Sequence, residues 1–181
     1  MNRAYYYLVA SLPVLRFGSK PPLSLEDFLC ECQKHLSFND LQMIRNVVSF
    51  PKVSKKSVDP ILKFWIRFNH NLRNELTWVR AMELNKEPAR YIRGERENIP
   101  QLVDLAAQAV KAADPLEAQK LLDLGRWNYL EELIQDHYFD LECLIVYALK
   151  LKILERYQTI DQVKGKEVLS EYQKFEPKNF S

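Results

Sequence analysis

The chain has 181 residues, 47% of them apolar and 28% charged, with four glycines and a net charge of +2. That length buries a substantial core without disulfide or metal staples, and the composition excludes a disordered chain. The near-neutral balance singles out no class of partner, and three cysteines, with Cys30 and Cys32 only two residues apart, exclude a secreted disulfide framework and point to a reducing compartment.

Met1-Asn2-Arg3 followed by Ala4 to Leu15 imitates the charged and apolar parts of a secretory signal. Three consecutive tyrosines and a cleavage candidate, Val9-Ala10-Ser11, inside the apolar run speak against it. Ala4 to Ala10 lacks a clean helical or strand period. Tyr5, Tyr6 and Tyr7 offer large rings with wettable hydroxyls, which suit a protein interface as well as a packed terminus.

Ser24 with Asp27, and Ser37 with Asp40, have the spacing in which a hydroxyl accepts an orphan backbone N–H and the acid favours the positive helix end. They predict helices over 25–36 and 38–48. Pro51 to Ser57 is a basic connector, and Asp59-Pro60 sets a cap followed by proline at the first helical position. Ile61, Trp65, Phe68, Leu72, Leu76 and Val79 then recur at three- and four-residue steps until Pro88, a rod of roughly 40 Å at 1.5 Å per residue.

Ala89 to Pro100, with Gly94, reads as a surface connector. Leu102, Leu105, Ala106 and Ala109 continue a helical stripe to Ala113, and Asp114-Pro115-Leu116-Glu117 opens another helix that Gly125 interrupts before it resumes to about Asp136. Asp140 caps the next helix. Its Leu141, Leu144, Ile145, Ala148, Leu151 and Leu154 form a stripe that Val146, Leu149 and Ile153 extend to nearly all sides, which predicts a central buried element. The apolar stretch Leu141 to Leu149 is far short of the roughly 20 residues that cross a bilayer. A last helix over 160–174 precedes a tail ending in Pro177. The sum is an all-α, multi-helix bundle of one domain, with lobes 1–96 and 97–181.

Glu31-Cys32-Gln33-Lys34-His35-Leu36 and Glu117-Ala118-Gln119-Lys120-Leu121-Leu122 share four residues at the same offsets, and each block leads through a break to a short helix and then a long apolar one, as a duplication would. Charge is unevenly spread: residues 52–96 carry eleven Lys/Arg against five Asp/Glu, and residues 97–143 carry three against ten. Either the molecule has one basic and one acidic face, or the two halves attract each other.

No motif supplies chemistry. Cys30, Cys32 and His35 lack a second ligand pair for zinc, and on a helix the two thiols point about 200° apart. His70 and His137 have no nucleophile beside them in sequence. Neither a phosphate-binding glycine loop nor a Glu-x-x-His pair is present. No catalytic residue, cofactor or metal is expected. Lys63, Arg67, Arg73, Arg80, Arg90, Arg93 and Arg96 among Phe64, Trp65, Phe68 and Trp78 offer a nucleic-acid surface, but the aromatics fall on the apolar stripe and no nucleic acid is expected.

Tyr5-Tyr6-Tyr7-Leu8-Val9-Ala10-Ser11-Leu12-Pro13 together with Pro115 to Arg156 resembles a shorter bacterial group related to the C-type stalk subunit (d-type in eukaryotes) of vacuolar/archaeal-type (V/A-type) ATP synthases. Glu117, Leu122-Asp123 and Trp127 fall where that family tends to have an acid, a Leu-Asp pair and an aromatic. Glu142, Lys150 and Lys152 resemble its acid and two bases on the next long helix. Ile145 stands where the family has asparagine, and family members run well beyond 181 residues with three lobes. The resemblance implies a funnel-shaped helical fold and a non-catalytic central-stalk subunit or accessory factor, at the cytoplasmic face of the plasma membrane, whose partners are the rotor ring and central shaft. Contact surfaces expected on that reading are Tyr5, Tyr6 and Tyr7, and Arg90, Arg93 and Arg96. The alternatives are a free-standing helical interaction scaffold and a basic nucleic-acid-binding module.

Overall fold

The computed structural model describes residues 5–49 and 60–159. Met1 to Ala4, the connector Pro51 to Ser57, Asp59, the helix predicted over 160–174 and the tail with Pro177 lie outside the described residues. Among the described residues the chain is all helical, in the order α1 (Tyr6–Ser11), α2 (Leu25–His35), α3 (Phe38–Val48), α4 (Pro60–Glu83), a 3-10 turn (Pro88–Arg90), α5 (Pro100–Val110), α6 (Pro115–Leu133) and α7 (Leu141–Thr159). No described helix is long and apolar enough to cross a membrane.

The capping signals work as the spacing predicts. Asp27 N–H donates to Ser24 Oγ at 3.0 Å while the Asp27 carboxylate returns to Ser24, a complete capping box. Asp40 N–H donates to Ser37 Oγ at 3.3 Å, and Glu117 N–H to Asp114 Oδ1 at 2.7 Å. Cys143 N–H donates to Asp140 Oδ1 at 3.1 Å, which starts α7. The N-terminal tyrosines, without a legible period, form the one-and-a-half-turn helix α1, whose Leu8 is buried.

Helix α7 is the axis of the larger apolar cluster. Its Leu144, Ile145, Val146, Ala148, Leu149, Leu151, Ile153 and Leu154 are buried against Phe28 and Cys32 of α2, Ile44 and Val47 of α3, Ile61 at the start of α4, and Trp127 and Leu130 of α6. A smaller cluster joins Leu72 and Leu76 of α4 to Leu102, Ala106 and Ala109 of α5 and Leu122 of α6. Helices α4 and α6 run through both clusters.

Gly125 does not interrupt its helix; α6 is continuous from Pro115 to Leu133. A Cβ at position 125 would lie 2.3 Å from Leu105 Cδ2. The glycine therefore serves packing, letting α5 approach α6, and that contact outweighs a helix-interior cost of about 1 kcal/mol. The block Glu117 to Leu122 thus belongs to one unbroken helix, and it lacks the separate short helix that follows Glu31 to Leu36. This removes the architectural half of the duplication.

Candidate functional site

Tyr5 gathers three chain segments at one end of the molecule. Its hydroxyl donates to Asp40 Oδ2 at 2.5 Å, tying it to the start of α3, and its N–H donates to the Phe139 carbonyl at 2.5 Å, tying it to the loop before α7. The neighbours of those anchors face outward. Tyr7 is 89% exposed, and Tyr6, Phe38 and Tyr138 are also exposed, with the Phe139 ring 4.8 Å from that of Tyr6. Exposed aromatics thus flank each of the three segments that Tyr5 ties together, and exposed aromatics are what interaction sites use. Of the three tyrosines expected at a contact surface, Tyr5 is used inside the fold and Tyr6 and Tyr7 are available.

The arginines separate in the same way. Arg96 is taken up inside the fold: its Nη2 donates to Glu75 Oε2 at 2.6 Å, its Nε to Oε1 at 2.9 Å, and its guanidinium lies 4.2 Å from the Trp78 ring. Glu75 is 2% exposed, so the pair is buried on the carboxylate side. Next to it, the Asn74 amide bonds the Arg93 backbone at both ends, at 2.9 and 3.0 Å. Together they strap the connector onto α4, with Gly94 in the left-handed region at φ +70°. Arg90 pairs with Glu87 on the surface. Arg67 pairs with Glu97, and Trp65 stacks on Phe68, which stacks on Tyr129 at 4.1 Å. Of the aromatics in the basic stretch, Trp65 and Phe68 thus face each other, Trp78 lies against Arg96, and Phe64 is exposed.

Between α4, α5 and α6 lies a half-open groove of about 580 Å³. Phe68, Ile99, Leu102 and Leu105 give it apolar walls, Gly125 its floor, and Arg67, Glu97 and Glu132 its ionic rim. Asn71, 5% exposed, lies beside the Glu97 carboxylate, which the hydrogen bond from Arg67 and, less strongly, that from Asn71 hold below its ordinary pKa against the effect of burial. Burial, then Glu132, pushes the Tyr129 hydroxyl up from its ordinary value. Sequence patterns point neither to the groove nor to the buried Asn71 and Asn74 that lie along α4 with the buried Glu75. A signal for Glu75 does exist: it falls three residues after Leu72 and four before Val79, on the apolar stripe.

His137, Asp140 and Glu142 bring potential ligand atoms within 4.8 Å of one another. Asp140 is already engaged, accepting from Cys143 N–H and meeting His137 Nδ1 at 2.5 Å, so helix capping accounts for the group. The Asp140 hydrogen bond raises the His137 pKa against a smaller opposing effect of burial. For Asp140, burial pushes upward, but the bonds from His137 and Cys143 outweigh it and the net shift is downward. A raised histidine stabilises fully below its unfolded value of about 6.5, and a lowered carboxylate fully above about 3.9, so both contribute between those limits. Stability should fall as pH drops through the depressed Asp140 value and as it rises through the raised His137 value. Both groups are partly solvated, so the expected amplitude is about 1 kcal/mol or less, and a His137→Ala variant should lose the alkaline-side decline in a thermal midpoint series. Cys30 is exposed and Cys32 buried on α2, with the Cys32 thiol pushed up to about 12 by burial and then by Glu31. Among the described residues, these cysteines and His35 do not converge as ligands.

A family model described as "Protein of unknown function (DUF2764)" matches residues 96–174, fewer than half of the chain. No ATP synthase stalk family is matched. The resemblance to that stalk family is therefore corrected. No curated protein matches the chain, and no solved structure matches it. The residues that carried the resemblance have internal work that explains their spacing. Asp123 takes Arg126 and Arg156, Trp127 meets Phe17 at 5.7 Å between ring centroids and Lys150 at 5.1 Å, Lys150 pairs with Glu131 at 2.6 Å, and Lys152 donates to the Val48 carbonyl. An acid, an aromatic and two bases at those offsets serve the packing of neighbouring helices, and all four lie within the residues that the family model matches.

Proposed function

We propose that the protein works without chemistry of its own, as a stiff helical body that holds other proteins, and that the aromatic surface around Tyr6 and Tyr7 holds one of them. The observation that carries the proposal is the exposure of Tyr7, Tyr6, Phe38 and Tyr138 around a Tyr5 fixed by two hydrogen bonds. Aromatics of this kind are enriched in the centres of protein interfaces because each buries a large rigid ring at little entropic cost. Support for stiffness comes from α7, whose apolar surround anchors α2, α3 and α6. An accessory role at the cytoplasmic face of a bacterial V/A-type rotary ATPase is a proposal about the partner alone, separate from the family assignment that the comparisons overturn.

The test is purification of the tagged chain from its native cell, beside a Tyr6→Ser/Tyr7→Ser variant. A defined set of proteins should accompany the wild type and be lost from the variant. Rotary-ATPase subunits in that set would establish the accessory role, and a set without them would rule it out. Loss of two hot-spot aromatics should weaken binding by at least about 30-fold, while folding stability falls by about 1.5 kcal/mol or less, most of it from the Tyr6 contact with Phe139. Equal retention by the two proteins would contradict the proposal.

A further inference from the structure

Helix α4 ends in a projecting tip. Ala81 is buried, and the six residues that follow it, Met82 to Glu87, are all exposed. The turn that closes the helix is complete. Asn85 takes the left-handed conformation at φ +53°, its N–H donates to the Met82 carbonyl at 3.0 Å, and the Lys86 N–H donates to the Ala81 carbonyl at 2.9 Å. With Leu84 N–H donating to the Arg80 carbonyl at 3.1 Å, three of the four carbonyls left over at the helix end are bonded within the chain. Large apolar side chains remain outside: Met82, Leu84 and Tyr91 are each more than half exposed. Beside them the cations Arg80, Lys86, Arg90 and Arg93 are exposed. Against these four stand Glu83 and Glu87, and Glu87 is already paired with Arg90.

We propose that this tip docks on an anionic lipid surface, with Met82, Leu84 and Tyr91 entering the headgroup layer and Arg80, Lys86 and Arg93 meeting lipid phosphates. Apolar side chains ringed by cations match a bilayer boundary, where hydrocarbon lies beneath a negatively charged layer. A projecting point suits a surface that deforms around it, whereas a folded protein partner needs a broad complementary patch. The bonded carbonyls serve the same end, because a bare helix terminus would have to shed water in order to enter. Glu83 opposes the attraction, and the excess of cations over acids outweighs it. The tip shares no residue with the tyrosines proposed to hold a protein, and the inference does not depend on that proposal.

The experiment sediments the full chain with vesicles of phosphatidylcholine alone and with vesicles that also contain about 30% phosphatidylglycerol. Binding to the anionic vesicles should be at least about tenfold tighter and should fall steeply toward about 0.5 M salt. Arg80→Glu/Lys86→Glu should abolish the preference. Met82→Ser/Leu84→Ser should weaken binding to the anionic vesicles about tenfold while leaving the thermal midpoint unchanged, since both side chains are exposed. Brominated phosphatidylcholine in those vesicles should quench the emission of a Leu84→Trp variant more strongly than that of the wild type. No binding up to about 1 mM lipid, equal binding to the two kinds of vesicle, or undiminished binding by Met82→Ser/Leu84→Ser would overturn the proposal. Capture by polyglutamate without binding to either vesicle would assign the tip to an acidic protein, and would overturn it too.

Discussion

Replacing Asp123 with alanine should lower stability by about 3 to 5 kcal/mol, and the thermal midpoint by roughly 6 to 20 °C for a chain of this size. Asp123 is fully buried, and its Oδ1 accepts from Arg126 Nη1 at 2.9 Å and from Arg156. Arg126 also donates from Nε to Asn69 on α4 at 3.0 Å, so the carboxylate sits where α6, α7 and α4 meet. Burial already lowers the Arg126 pKa, and Arg156 and Arg73 push the same way against the pull of Asp123. Without the acid, a largely buried guanidinium faces two like charges. An Asp123→Asn variant, which keeps one acceptor, should recover part of the loss; chemical denaturation of both variants beside the wild type measures it. A loss below about 1 kcal/mol for the alanine variant would show that the arginines re-solvate freely.

The second large effect is expected at Glu75. Glu75→Ala should cost about 3 kcal/mol, near the low end for a broken buried pair, because Arg96 can swing to solvent once the connector loosens. The loss should be local in its signature. With Arg96 released from Glu75, the strap that also includes Asn74 and the Arg93 backbone weakens, and hydrogen exchange at the Arg93 N–H should accelerate far more than at Leu151 in the centre of α7. Arg96→Lys should show most of the same acceleration, since a lysine offers neither the forked pair of donors nor the flat face that lies over Trp78. Uniform acceleration across both positions would mean that the pair supports the whole fold and does not act as a strap.

Helix starts are legible in the sequence because their signals are local: Ser24, Ser37, Asp114 and Asp140 each bond an N–H three residues on, which spacing alone encodes. The central position of α7 is legible for a related reason, as apolar residues on every side leave no face for water. Gly125 misleads because a helix-interior glycine has two explanations, a break or a close approach, and only the position of Leu105 on another helix chooses between them. The groove is invisible in sequence for the same reason, being assembled from three helices. Burial of Asn74 depends on a connector that comes 19 residues later in the chain, so its own neighbours on α4 do not reveal it, whereas Glu75 is signalled by its place on the apolar stripe. At the aromatic surface, residue type selects Tyr5, Tyr6 and Tyr7; it cannot separate the anchor from the exposed pair, nor add Phe38 and Tyr138, because the Tyr5 to Asp40 bond spans 35 residues.

The central claim, that the exposed tyrosines hold another protein, is tested most directly by placing a photo-crosslinking benzoylphenylalanine at Tyr7 in the native cell, with the same group at the exposed Gln108 of α5 as reference. A single dominant adduct with another protein from position 7, absent from position 108, is the predicted result. No adduct from position 7, or the same adducts from both positions, would contradict it.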